Sequence, residues 1–425
     1  MISKNFFTKF SKLMLLKILA SGLSLIFYYV LAKQLSLSQF GLFSLAMSCL
    51  LFCSAFAKQG LEQAVVRFFA LSTDIAKFKL YNKVIAYSGI SAAIVALLVY
   101  LFSTEISLYL FIKIELADLL FYVAILTILQ TWLGINSSVL KGQCRPAESL
   151  FFSGILTFSI SLVLFYVSPP IDGVSALKQF FISVAIACTI SFIFVFISFK
   201  FPIRNANNLT IDKKGRSTDQ IKPLLSTSRT LFLISLSALA TQQLSTLILA
   251  RTASLETIAF FTLALKVTLL MSYPLIVINA ITAPKYARLY HQKELHKFKV
   301  LAFFTNKILI IIASIAIFVV YMFADKAMLM FDEHYTAAIP IIKILAIGQW
   351  FNLATGSVVS MLIMAGFEKQ FRTITLILTA FSMILMFILI PNYGVWAAAW
   401  ITSITMAVKN VVSWYVVYKN IYSKV

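Results

Sequence analysis

Leu31–Arg67 reads LAKQLSLSQFGLFSLAMSCLLFCSAFAKQGLEQAVVR, and its first part returns near the middle of the chain. A shift of 218 positions, from 31 to 249, lays LAKQLSLSQFGLFSLA over LARTASLETIAFFTLA. Leu31, Ala32, Ser36, Leu37, Phe43, Leu45 and Ala46 then fall on Leu249, Ala250, Ser254, Leu255, Phe261, Leu263 and Ala264, and Lys33 falls on Arg251. Each copy is the end of one apolar helix, a short polar turn and the start of another. The chain therefore reads as two related halves.

Composition sets the solvent. Of 425 residues, 61% are hydrophobic and 12% charged, about half the charged share of an ordinary soluble domain. The apolar runs are long enough to span a bilayer as helices, about 20 residues each, and the short alternating segments of a membrane β-barrel are absent from the sequence. Backbone groups in lipid must be satisfied within the segment, so the fold class is all-α and polytopic. The formal charge of +21 would suggest nucleic acid in a soluble protein. Here the cations alternate between loops of an apolar chain, as membrane insertion demands, and nucleic acid is not expected as a partner.

Twelve helices can be placed. In the first half they cover about 13–34, 38–59 with an amphipathic extension through Arg67, 81–102, 119–140, 147–167 and 177–199. In the second half they cover about 230–250, 257–283, 308–323, 338–365, 373–390 and 395–417. The domain reading is a six-helix bundle over 1–200, a cytoplasmic loop over 201–226 and a second six-helix bundle over 227–425, the two bundles being pseudo-symmetric. An even helix number per half gives both the same orientation, hence a pseudo-two-fold axis along the membrane normal and a substrate path between them. Most of the 36 Lys and Arg fall in the loops and flanks on the side of the termini. The opposite loops hold Lys33, Lys113, Lys178, Arg251 and Lys326. The positive-inside rule puts both termini in the cytoplasm.

Lys58, Lys266, Lys343 and Lys409 remain within the apolar segments. Lys58 and Lys343 are near helix ends, where the stem can carry the ammonium to the interface. Lys266 and Lys409 are deeper, and an ammonium there costs at least about 2.5–3.5 kcal/mol. No carboxylate in a helix centre is at hand to pair with them, so the expectation is a wet cavity holding an anion, with an interhelical contact to backbone carbonyls as the plainer alternative. Gln349, Asn352, Gly356 and Ser360, at spacings of three, four and four, are expected to form one polar face of the tenth helix. Gln242, Ser245, Thr262 and Gln130 join that inventory, each with a helix–helix hydrogen bond as its structural alternative. Pro274 is expected to kink the eighth helix. Cys49 and Cys53, one turn apart, read as packing residues. No metal site, no nucleotide-binding glycine loop and no cofactor is expected, and His291, His296 and His334 receive no chemistry.

LSLSQFGLFSLA followed by GLEQAVVRFF resembles the first helix pair of the polysaccharide transporters of the multidrug/oligosaccharidyl-lipid/polysaccharide exporter superfamily, the Wzx-type O-antigen flippases. The matching marks are Phe40-Gly41-Leu42, Gly60 to Arg67, AITAPKYARLYHQ after the eighth helix and MAGFEKQFR after the tenth. The resemblance implies a V-shaped pair of bundles in the bacterial inner membrane. It implies transport of an undecaprenyl-pyrophosphate-linked oligosaccharide, an O-antigen or related surface polysaccharide unit in lipopolysaccharide biosynthesis, from the cytoplasmic to the periplasmic leaflet by alternating access. A cationic cavity would hold the pyrophosphate, with Lys266, Arg67, Arg251, Lys409 and Lys58 as its cations and Gln349, Asn352, Gln242 and Gln130 as its polar lining. A polysaccharide polymerase and a chain-length regulator would be partners. Where such proteins often carry an Asp on the seventh helix, this chain has Gln242, Gln243 and Thr246. The competing reading is a multidrug exporter of the same superfamily, which would want cavity carboxylates; a membrane glycan polymerase would want a large outer loop.

Overall fold

The computed structural model describes residues 4–71, 74–143, 145–200, 221–331 and 333–424. Most of the expected loop 201–226 lies outside the described residues. The major helices are α1 (Lys4–Gln34), α2 (Leu37–Lys58), α3 (Leu61–Leu71), α4 (Asp74–Leu101), α5 (Leu116–Gly142), α6 (Pro146–Leu150), α7 (Leu156–Val167), α8 (Gly173–Lys200), α9 (Ile221–Thr252), α10 (Leu255–Leu269), α11 (Tyr273–His291), α12 (Leu295–Phe331), α13 (Ile339–Ala354), α14 (Val358–Met364) and α15 (Glu368–Asn420). Among the described residues, ten helices are long and apolar enough to cross a membrane, and α9 adds an eleventh if its bent halves make one span. Gly394 interrupts α15 with φ 55° and ψ −136°. Dividing α15 there brings the spans to the twelve expected from the sequence.

The chain divides into two compact units, Met1–Leu236 and Ser237–Val425, with the boundary inside α9. In the first unit α5 is the central helix, packed on α2, α3, α4 and α8; in the second α13 plays that part against α10, α12 and α15. These are the fourth and tenth spans, which correspond in the repeat. The repeat also holds at the level of single hydrogen bonds. Ser36 caps α2 by accepting from the Gln39 N–H, and Ser254 caps α10 by accepting from the Thr257 N–H, both from extended backbone. The repeated Leu31, Phe43, Leu45 and Ala46, like Leu249, Phe261, Leu263 and Ala264, have no exposed surface.

Phe27 anchors the first core, within 5.3–6.1 Å of the rings of Tyr28, Phe43, Phe158, Phe165 and Phe180. The opposite faces are apolar too. Ile90, Ile94, Leu97, Leu98 and Leu101 are exposed along α4, and Phe303, Phe304, Ile311 and Phe318 along α12. Apolar faces this extensive are stable against acyl chains and not against water, which makes this a multi-pass membrane protein.

Two helix readings change. The eighth span is not merely kinked: a 3-10 turn at Leu270–Ser272 separates α10 from α11, and Pro274 sits in the first turn of the restarted helix, where its missing N–H costs no hydrogen bond. The tenth span is broken as well. α13 ends at Ala354, Gly356 has φ +76°, and α14 starts at Val358. Gln349, Asn352, Gly356 and Ser360 therefore do not form one continuous helical face, because the spacing rule stops applying where the helix does.

Candidate functional site

The expected amphipathic extension of the second helix is a separate helix, and the break between them builds a pocket. α2 stops at Lys58 because Gln59 and Gly60 both turn left-handed, with φ 46° and 75°. A non-glycine residue tolerates this conformation only when its surroundings hold it, and Gln59 is held three ways. Its Nε2 donates to Ser91 Oγ at 3.0 Å, its Oε1 accepts from Tyr87 OH at 2.9 Å, and its carbonyl accepts from Ser228 Oγ. Gly60 must be glycine for a second reason: a Cβ there would meet the backbone of Ser228 and Phe232 on α9.

The turn places Glu62, in the first turn of α3, against the last residue of α2. Glu62 Oε1 lies 3.0 Å from Lys58 Nζ. Both sit over Gly134 of α5, where a Cβ would collide with Glu62 Oε1 and come within 3.0 Å of Lys58 Cε and Nζ. The pair borders a cavity of about 600 Å³ lined also by Gln63, Gln130, Ser138 and Lys141. Gln63 Nε2 donates to Ser235 Oγ at 3.2 Å, and Ser137, on the same wall, bonds Ser149 Oγ at 2.6 Å.

The electrostatics favour an anion. The Lys58 ammonium holds the Glu62 carboxyl below the usual carboxylate range against the opposing effect of burial, and Lys141 acts in the same direction. Lys141 is also within electrostatic reach of Lys17 on α1. The side chains of Lys58 and Glu62 are 16% and 41% exposed, so their pair contributes only about 0.2–1 kcal/mol. A ligand bearing several negative oxygens can engage Lys58 and Lys141 together, and so compete with a carboxylate paired to Lys58. Among the described residues no three His, Cys, Asp or Glu converge as metal ligands.

Of the residues picked from the sequence, Lys58 and Gln130 come together here. Arg67 is on α3 but exposed; Arg251 and Gln242 are exposed on α9, while Lys266 on α10 and Lys409 on α15 are half-buried. Gln349 and Asn352 are engaged in packing. Asn352 Nδ2 donates to Gln349 Oε1 at 3.3 Å, and Asn410 Nδ2 on α15 donates to Asn352 Oδ1 at 3.2 Å. Sequence reasoning missed Glu62, Lys141, Gln63, Gly134 and the serines. Their signal was present: Lys58 and Glu62 are four apart, and Gln130, Gly134, Ser137, Ser138 and Lys141 recur at helical spacing.

The fold of this all-helical, two-unit membrane protein is shared with transporters of the MOP superfamily. The lipid II flippase MurJ, inward closed, superposes with a TM-score of 0.73 at 14% identity, covering 96% of this chain and 87% of that one. An inward-facing multidrug resistance MATE transporter gives 0.70 at 16% identity, with 96% and 95% covered. A MOP superfamily transporter from Pyrococcus furiosus, described as having a binding pocket of reverse polarity, gives 0.64 at 14% identity, with 97% and 95% covered. Among curated proteins, none matches the chain in sequence. The chain belongs to the polysaccharide biosynthesis protein family, whose pattern spans residues 6–289.

Proposed function

We propose that the protein is a flippase for an undecaprenyl-pyrophosphate-linked oligosaccharide, an O-antigen or related surface polysaccharide unit. It would carry this lipid from the cytoplasmic to the periplasmic leaflet of a bacterial inner membrane by alternating access, with both termini cytoplasmic. The observation that carries the reading is the pair of ammonium groups, Lys58 and Lys141, on a polar pocket of about 600 Å³ in a polysaccharide biosynthesis protein. The volume is within the range of small-molecule sites, about 300–1,000 Å³. The pyrophosphate engages Lys58 and Lys141, while Gln63, Gln130 and the serine hydroxyls supply hydrogen bonds to head-group oxygens. Lys266, Lys409, Arg251 and Arg67 serve as further cations along its passage. Transport forms and breaks no bond, so no catalytic residue is assigned. The product would pass to a polymerase with its chain-length regulator.

Fold similarity leaves a multidrug exporter as the second reading, since the MATE transporter superposes about as well as the flippase. Charge argues against it. A cationic drug wants an unspent carboxylate, and the pocket's carboxylate is already bound to Lys58. The test is Lys58→Gln combined with Lys141→Gln in cells. Loss of surface glycan with accumulation of lipid-linked units, at normal protein level in the membrane, is the expected result. Normal glycan together with increased drug sensitivity would establish the exporter instead.

A further inference from the structure

We propose that Glu62 is a built-in stand-in for the substrate's anionic group: it pairs with Lys58 and swings away when a pyrophosphate arrives. The inference rests on the head-group reading above and adds to it the residue with which the substrate competes.

Three observations carry it. The contact is local, across the Gln59–Gly60 turn, so it forms without any ligand; the turn itself is fixed by Ser91, Tyr87 and Ser228 and need not move when the carboxylate does. Of the two side chains, that of Glu62 is the more exposed, 41% against 16% for Lys58. A group entering the pocket finds the Glu62 side chain the more accessible of the two. Gly134 is bare where the pair sits, so the parking place of the carboxylate is part of the pocket floor. The charged groups facing Glu62 are Lys58 from α2 and Lys141 from α5, with Lys17 of α1 beyond Lys141. A partly screened pair of this kind keeps the ammonium neutralised inside an apolar bundle between transport cycles, yet yields to a ligand that can bridge Lys58 and Lys141.

The test is a double-mutant cycle on the purified full chain in detergent, with inorganic pyrophosphate and farnesyl pyrophosphate as probes in calorimetric titrations. Glu62→Gln should tighten pyrophosphate about fivefold, the worth of one screened competing contact. In a Lys58→Gln background the same change should give less than about twofold, because no contact remains to compete with. Glu62→Asp separates charge from contact: it keeps the carboxylate with a shorter reach to Lys58, and it should tighten binding, but less than Gln does. Equal effects of Glu62→Gln in both backgrounds, or no tightening by Gln and Asp, overturn the proposal while leaving the head-group reading standing. No binding of either probe by any variant overturns both. Tightening for farnesyl pyrophosphate that exceeds tightening for the inorganic ion marks a lipid-borne ligand; equal tightening marks recognition of the phosphates alone.

Discussion

Gly134 on α5 leaves open the space that the Glu62 carboxylate fills, so a methyl group at position 134 and Oε1 of Glu62 exclude one another. Gly134→Ala tests that relation with a small and calculable side effect. Alanine in a helix interior gains up to about 1 kcal/mol over glycine. Losing a half-exposed ion pair costs about 0.2–1 kcal/mol, and the colliding atom is the free end of a side chain that can move. The two nearly cancel, so thermal unfolding in detergent is expected to stay within about 1 kcal/mol of wild type while pyrophosphate binding changes. A collapse in stability would mean that the backbone of α3, and not a side chain, is what the methyl group meets.

The ion pair also has a signature in acid. Lys58 lowers the Glu62 pKa in the folded protein, so the stabilisation is present above the unfolded carboxyl value of about 4.3 and is lost as pH falls through the folded value. Because the Glu62 side chain is 41% exposed, the increment stays below about 1 kcal/mol. Unfolding midpoints measured from neutral pH down through the carboxylate range should fall more steeply for wild type than for Glu62→Gln. Parallel curves would show that the contact is not kept in solution.

The repeat gives a stability prediction in duplicate. Ser36 and Ser254 cap α2 and α10 with the same geometry, at 3.4 and 3.3 Å. Replacing a capping serine by alanine costs about 0.5–2 kcal/mol. Ser36→Ala and Ser254→Ala should each lower stability by about that amount, and their effects should add, since the two caps belong to separate units. A non-additive double variant would mean that the caps share a partner.

The places of these caps, though not the capping bonds, were legible in the sequence, where the repeat lays Ser36 over Ser254 in a polar turn. Ser36 and Ser254, the buried residues around them and the twelve spans all follow from apolar runs and a repeat, because local pattern decides them. The pocket was half legible. Lys58 and Gln130 stand out as polar residues in apolar runs, but the break that aims Lys58 at Glu62 is held by side chains of α4 and α9 that are distant in sequence. Gln59 in particular is not a residue that announces a left-handed turn. Gly134 reads as an ordinary small helix residue until α3 is laid against it.

Lys266 keeps the role assigned from sequence as a proposal of its own. It is half-buried on α10, near the break before Pro274. Lys266→Ala is expected to abolish surface glycan assembly with the protein still present in the membrane. Lys266→Arg, which keeps the charge, should restore a substantial part. Normal glycan in the alanine variant removes Lys266 from the transport path.

Asn410 offers the sharpest contrast between packing and transport. It is 2% exposed, and its Nδ2 donates both to Asn352 Oδ1 at 3.2 Å and to the Met406 carbonyl at 2.9 Å. Asn352 in turn donates to Gln349, so the chain of amides ties α15 to α13, the central helix of the second unit. Polar contacts between membrane helices average about 0.6 kcal/mol, more when a buried acceptor is left unmet. Asn410→Leu should therefore destabilise by about 1 kcal/mol and, if these amides only pack, leave glycan assembly intact once expression is matched. Should glycan assembly fail at matched protein level while thermal stability is unchanged, Gln349 and Asn352 belong to the substrate path after all, and their bonds to each other are the resting state of a polar lining.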